Sequence, residues 1–283
     1  MYEKEMVNKE YYGLTMGALG SFCLLGHGLI ALAIRSKPSL KERTFFLRSL
    51  GLSDIFVTIH IFMSAWAAFQ KTWVFGKIGC QLDAYIGMAF ALASISNAAW
   101  IAKDKYYYAC ESRKWGQNYS KCAMILWLSA IGFAALPFLG VGSYGFETSD
   151  PFWQTGCMLD FHHVGVKYTL YIIILSLVWF ALPLYHIIWY YKKIRDAEKA
   201  KLPMEYIVPA QMIASWLPYA AYAMLSITLG TSVVPFYVTA INNVAAKIFF
   251  ATNPFLYMWS DDELGKACIE VITGKKGIKE ASE

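Results

Sequence analysis

Seven apolar stretches, each close to the length of a bilayer crossing, constrain this chain more than any other feature. They run at about 13–34, 44–69, 80–103, 122–140, 166–190, 206–229 and 235–259. A helix rises about 1.5 Å per residue, so roughly 20 apolar residues cross the hydrocarbon core. Backbone groups inside that core find no water, so each run has to satisfy them internally, as a helix. With 57% of 283 residues hydrophobic and only 16% charged, an ordinary soluble core is excluded. We therefore expect an all-α membrane protein, with a seven-helix bundle over residues 13–259. Residues 1–12 are read as a polar outer or luminal N-terminus. Residues 260–272 suit a short amphipathic helix on the membrane surface, with Leu264, Cys268, Val271 and Ile272 on one face. Residues 273–283 are too small and polar to pack, and are read as a disordered cytosolic tail.

Lysine and arginine orient the spans. Eighteen fall in the 35–43, 103–121 and 192–201 loops and the tail after Trp259, against five in the N-terminus and alternate loops. The positive-inside rule then puts the N-terminus outside or luminal and the C-terminus in the cytosol, with plasma and internal membranes both compatible. Residues 1–12 show no cleavable signal, so the first span is expected to act as its own membrane signal. Of the six cysteines, that topology leaves only Cys80 and Cys157 on the non-cytosolic side, free to form one disulfide. No nucleic-acid motif or charge block is present. The sequon at Asn118 falls in a cytosolic loop and should stay unglycosylated.

Inside the last span stands Lys247, about twelve residues from either end. Its stem reaches only about 6 Å, too short for the ammonium to snorkel out to the headgroups. An intramembrane lysine is costly, and two readings follow: a structural partner for a carboxylate or carbonyls, or a desolvated, nucleophilic amine able to form a Schiff base. Asp54 is a second mid-membrane charge, expected to bond water, serine or asparagine. Pro183, Pro218 and Pro254 should kink segments five to seven, and Pro203 and Pro209 should shorten or bend the start of segment six. Trp179, Phe180, Tyr171, Trp216, Tyr219 and Tyr222 put many rings in the outer half of the bundle, a pattern found in cores more often than in ligand cages.

Several motifs, at matching distances, resemble the rhodopsin-type receptors and among them the opsins. Cys80 opens segment three and Asp104-Lys105-Tyr106 follows 24 residues later, resembling the acidic-Arg-Tyr triplet of that family. Trp127 precedes Pro137 by ten residues, and Pro183 precedes Tyr191 by eight. Trp216-Leu217-Pro218-Tyr219 resembles the sixth-helix toggle, and Asn253-Pro254-Phe255-Leu256-Tyr257 is the NPxxY motif. Lys247 lies 31 residues after Trp216 and six before Asn253, the spacing of the opsin retinal-binding lysine. Within opsins, ALASISNAAW, LPFLGVGSYGFE, CMLDF and SWLPYA resemble the retinal G-protein-coupled receptor group, with retinochrome and peropsin as neighbours.

That resemblance implies a Schiff base between Lys247 and retinal, all-trans in the dark, in a pocket walled by Trp216, Tyr219, Trp179, Phe180, Gly87 and Met88. It implies photoisomerisation to the 11-cis form, and retinal, the lipid bilayer and a retinoid-carrier protein as partners. Two carboxylates are candidate counterions. Asp83 lies three residues after Cys80, and Glu147 three after Tyr144 and ten before Cys157. The chain departs from the family at His27, where an asparagine is expected, at Lys105 in place of arginine, and at Asp261-Asp262. With the short connection between segments five and six, these argue against efficient G-protein coupling. The lock-like Ala197-Glu198-Lys199 points toward signalling, so a light-sensing receptor acting through a G protein is the competing reading. A microbial-type retinal pump does not carry the Trp216–Pro218 or Asn253–Tyr257 motifs.

Overall fold

In the computed structural model the described residues are 2–111, 118–146, 154–160, 165–199, 204–229 and 236–274. Among them are seven long helical spans: α1 (Tyr2–Ser36), α3 (Phe45–Phe69), α4 (Gly76–Cys110), α5 (Tyr119–Ala135), a fifth in two halves, α8 (Met204–Leu229) and α9 (Phe236–Ser260). The fifth joins α6 (Val166–Ser176) to α7 (Leu182–Asp196) through a π turn at Leu177–Ala181. A short α2 (Leu40–Arg43) links α1 to α3, and α10 (Asp262–Thr273) follows α9. The first five spans are each long and apolar enough to cross a membrane. The last two, of 26 and 25 residues, have the length, and α9 carries Asn242, Asn243, Lys247 and Asn253 within it.

Apolar side chains such as Leu25, Ile55, Leu128, Leu177 and Leu217 face outward, as they must where the solvent is lipid. Lipid gives helices little hydrophobic reason to associate, so close approach of small residues has to hold them. The inner helix α4 shows this. Ala84, Ala89, Ala91, Ala93, Ser94, Ala98, Ala99 and Ala102 are all buried where it packs on α3, α5, α7 and the hairpin. Gly26 of α1 serves the same end: a Cβ there would sit 2.5 Å from the Pro254 ring of α9. Hydroxyls inside spans turn back to the carbonyl one turn earlier, as Thr15 does to Tyr11 and Ser21 to Gly17.

One end of the bundle carries an antiparallel hairpin, β1 (Tyr144–Phe146) with β2 (Cys157–Leu159), in the register Tyr144↔Leu159, Gly145↔Met158 and Phe146↔Cys157. The Cys80–Cys157 disulfide ties it to the first turns of α4. Tyr144 donates its hydroxyl to the Ala134 carbonyl at 2.7 Å, and burial raises that phenol well above its ordinary pKa. At the opposite end α10 packs on α1 and α9. Asp261 caps it, accepting from the Leu264 N–H at 3.1 Å.

Several expectations are revised. The first helix does not start near residue 13 but runs from Tyr2. Its outer turns are held by the 70–79 loop, where Lys9 donates to the Lys71 carbonyl and Lys71 pairs with Glu10. Pro209 neither shortens nor precedes α8 but lies inside it; Pro203 is outside the described residues. Pro183 follows the π turn, in which the Leu182 N–H reaches back to the Leu177 carbonyl. On α10, Leu264 and Cys268 face the bundle while Ile272 is exposed, so the apolar stripe is split between protein and surroundings. Burial pushes the Cys268 thiol up to about 11, which leaves it unreactive near neutral pH. Of the expected tail, residues 275–283 fall outside the described ones.

Candidate functional site

Beneath the hairpin lies a cavity lined mainly by apolar side chains. Its floor and walls come from six elements. The α3 helix supplies Val57 and His60; α4 supplies Ala84, Gly87, Met88, Ala91, Leu92 and Ile95; β2 supplies Cys157, Met158 and Leu159. The fifth span adds Leu175, Ser176, Trp179 and Phe180. The last two helices add Trp216, Tyr219, Ala220, Ala223, Asn243, Ala246, Lys247 and Phe250. Lys247 and the six residues expected as pocket walls, Trp216, Tyr219, Trp179, Phe180, Gly87 and Met88, thus border one space. Tyr171 and Tyr222 pack instead in a neighbouring cluster with Tyr144 and Tyr168, where Tyr171 stacks on Phe133 at 4.6 Å.

The π turn contributes directly to this wall. Proline at 183 has no N–H for the Trp179 carbonyl, and the chain takes up the defect as one wider turn. Two consecutive large rings, Trp179 and Phe180, come to line the cavity from that turn. On α8 the Trp216 ring meets Phe249 and Phe250 edge to face, at 5.9 and 5.8 Å.

Lys247 is buried, and its ammonium donates to the Asn243 side-chain oxygen one turn earlier on α9. Asn243 in turn donates to the Tyr12 hydroxyl of α1 at 2.7 Å. Asp83, fully buried, does not line the cavity. One of its oxygens lies 2.8 Å from His60 Nδ1 and the other accepts from the Cys157 N–H at 3.2 Å. Glu147, the other candidate counterion, is outside the described residues.

His60, Asn243 and Tyr12 were not singled out from the sequence. An ionisable side chain six residues past Asp54 inside a span is a signal that could have exposed His60. The i, i+4 spacing of Asn243 and Lys247 puts both on one helix face and could have exposed the asparagine.

Deeper in the bundle, Asp54 joins four helices. It accepts from Asn253 at 3.0 Å, lies 3.0 Å from His27 Nε2 and receives the Ser94 hydroxyl. The expected serine and asparagine are there, and the imidazole at the family's asparagine position completes the set.

Towards α10 a second cavity is bordered by Asp104, Lys105, Tyr191 and Tyr257 together with Arg43, Asp261, Asp262 and Glu263. Asp104 accepts from the Tyr119 hydroxyl, and Lys105 reaches across to the Ser260 hydroxyl at 2.9 Å. Tyr106 points elsewhere and donates to Glu111, while Asn253 belongs to the Asp54 cluster and Pro254 to the α1 contact. Arg43 bridges Asp261 and Glu263, the latter at 2.5 Å, so Asp261 and Glu263 anchor the start of α10 to α2.

The family model described as 7 transmembrane receptor (rhodopsin family) matches residues 26–257. The chain is 28% identical over 213 residues to the RPE-retinal G protein-coupled receptor of Bos taurus, covering 73% of this chain and 72% of that one. It is 26% identical over 298 residues to the rhodopsin of Enteroctopus dofleini, covering 91% and 64%. The crystal structure of squid rhodopsin superposes with a TM-score of 0.80 at 20% identity, over 95% of this chain and 86% of that one.

Proposed function

The chain belongs to the rhodopsin family of seven-transmembrane receptors, as a retinal-binding opsin that passes the membrane several times, and from that premise we propose that it is a retinal photoisomerase. In this reading Lys247 binds all-trans-retinal in the dark and light converts it to the 11-cis isomer. The observation that carries the reading is a buried amine opening on a largely apolar cavity lined by the rings of Trp179, Phe180, Trp216 and Tyr219.

The residues present fit such a ligand. Apolar and aromatic side chains dominate the wall, as a long polyene requires, and an amine stands at one place on it for a terminal aldehyde. Retinal, once bound, supplies the aldehyde and a conjugated chain that absorbs light. The protein supplies the rest. Asn243 holds the Lys247 nitrogen in place along α9. Trp179, Phe180, Trp216 and Tyr219 restrict which bond has room to rotate, and so which isomer forms. The hairpin, fastened by Cys80–Cys157, covers the cavity and keeps water from the linkage. Asp83 supplies negative charge from behind the wall, with Glu147 the other candidate for that role.

In this reading the N-terminus is outside or luminal and the C-terminus cytosolic, and a retinoid carrier delivers or collects the isomers. The Lys105–Ser260 contact and the Arg43 bridges fasten the α10 end, which favours isomerisation over signalling. Purified protein given all-trans-retinal should form a visible pigment, and chromatography of extracts after illumination should show mainly 11-cis-retinal. Net conversion of 11-cis to all-trans overturns the proposal. Lys247→Ala should abolish the pigment. Nucleotide exchange on a G protein in light and dark separates the signalling alternative.

A further inference from the structure

His60 stands where the sequence motifs point to nothing, yet it is the imidazole on the cavity wall. It is buried, and its Nδ1 lies 2.8 Å from Asp83 Oδ1. An ionised carboxylate only accepts hydrogen bonds, so Nδ1 carries the proton in this contact and the pair has one charge to share. Asp83 is fully buried and off the wall, its second oxygen committed to the Cys157 N–H. Its neighbours Ala84 and Gly87 border the cavity, and Gly87 is open for a reason: a Cβ there would meet the His60 ring at 3.2 Å. The fold thus makes room for the imidazole between carboxylate and cavity. Of the other elements on this wall, α9 adds the titratable Lys247 and α8 adds Tyr219; α1 adds none among the described residues.

We propose that His60 is the positioning residue through which the Asp83 carboxylate neutralises the cation at Lys247. The inference rests on the retinal reading of Lys247 and deepens it. An anionic Asp83 with a neutral imidazole gives the wall one negative charge. Protonating the imidazole cancels that charge, so the pair's influence on the lysine linkage is set by His60.

The measurement is the pH at which the pigment loses half its visible absorbance. Asp83→Asn should lower that midpoint by about 1–3 pH units, the range expected for losing a nearby opposite charge. His60→Leu should lower it by a similar amount, and the double variant no further than the deeper single, because both act through one pair. His60→Asn keeps a donor towards Oδ1 and should stay within about half a unit of the wild type, on that same scale. Should His60→Leu fold poorly, Gly87→Ala displaces the ring with both groups retained and should move the midpoint the same way. A His60→Leu or Gly87→Ala midpoint equal to wild type, or a double variant showing the sum of the singles, overturns the proposal while leaving the pigment reading intact. A wild-type chain that forms no pigment overturns both.

Discussion

Two buried aspartates, 29 positions apart in sequence, hold a histidine each and yet do different work. Asp54 has Ser94, Asn253 and His27 around it, from α4, α9 and α1, and none of the four borders either cavity described above. Asp83 has one side chain and one backbone N–H, and its histidine faces the cavity. The difference is one of saturation. A carboxylate ringed by donors from several helices is a fastener, since both its oxygens are held by side chains inside the bundle. One that leaves its charge partly uncompensated next to an open space has electrostatic influence to exert there. The same residue pair, Asp with His, serves either end depending on how many other donors surround it.

Breaking the fastener should give the largest effect. Asp54→Ala strands three buried polar side chains and should cost about 3–5 kcal/mol of stability, read as thermal unfolding in detergent. Asp83→Asn should cost less than half of that while moving the pigment's absorbance; equal losses from the two would dissolve the contrast. Next in size, His27→Leu should destabilise by about 1–3 kcal/mol, because the Asp54 oxygen it meets then keeps only Asn253, and should leave the absorbance unchanged. Gly26→Ala should fall in a similar range, about 1–3 kcal/mol, because the α1–Pro254 contact has no space for a methyl. Smallest is Arg43→Gln at the α10 end, a partly exposed bridge worth about 0–1 kcal/mol. Its sharper readout is nucleotide exchange in light, which should rise if the bridge keeps that end closed.

Much of this architecture was legible from hydropathy and spacing, because a bilayer forces helices and rewards apolar runs of one length. Lys247 stood out because charge inside a span is rare, and its distances to Trp216 and Asn253 gave it a meaning. Partner choice was not legible. His27 and Asp54 are 27 positions apart on different helices, and nothing local to either names the other. His60 was passed over beside louder motifs, because it meets Asp83, 23 positions away on another helix, only in the folded chain. The helix before residue 13 escaped because Lys9 and Glu10 are satisfied by a loop some sixty positions away. Glu147 was legible as a candidate from its distance to Tyr144, and lies outside the described residues.

The wide turn at Leu177–Ala181 carries a consequence for how such a pocket changes over time. A π turn holds one residue more than the helix needs, and each α residue advances the helix by about 100°. Deleting a single residue there would remove the extra residue while keeping both flanking helices in place. The rings at 179 and 180 would be exchanged for another pair without redesigning the span. Length variation of one residue, usually ruinous in a transmembrane helix, is here a ready means of retuning which shape the cavity accepts.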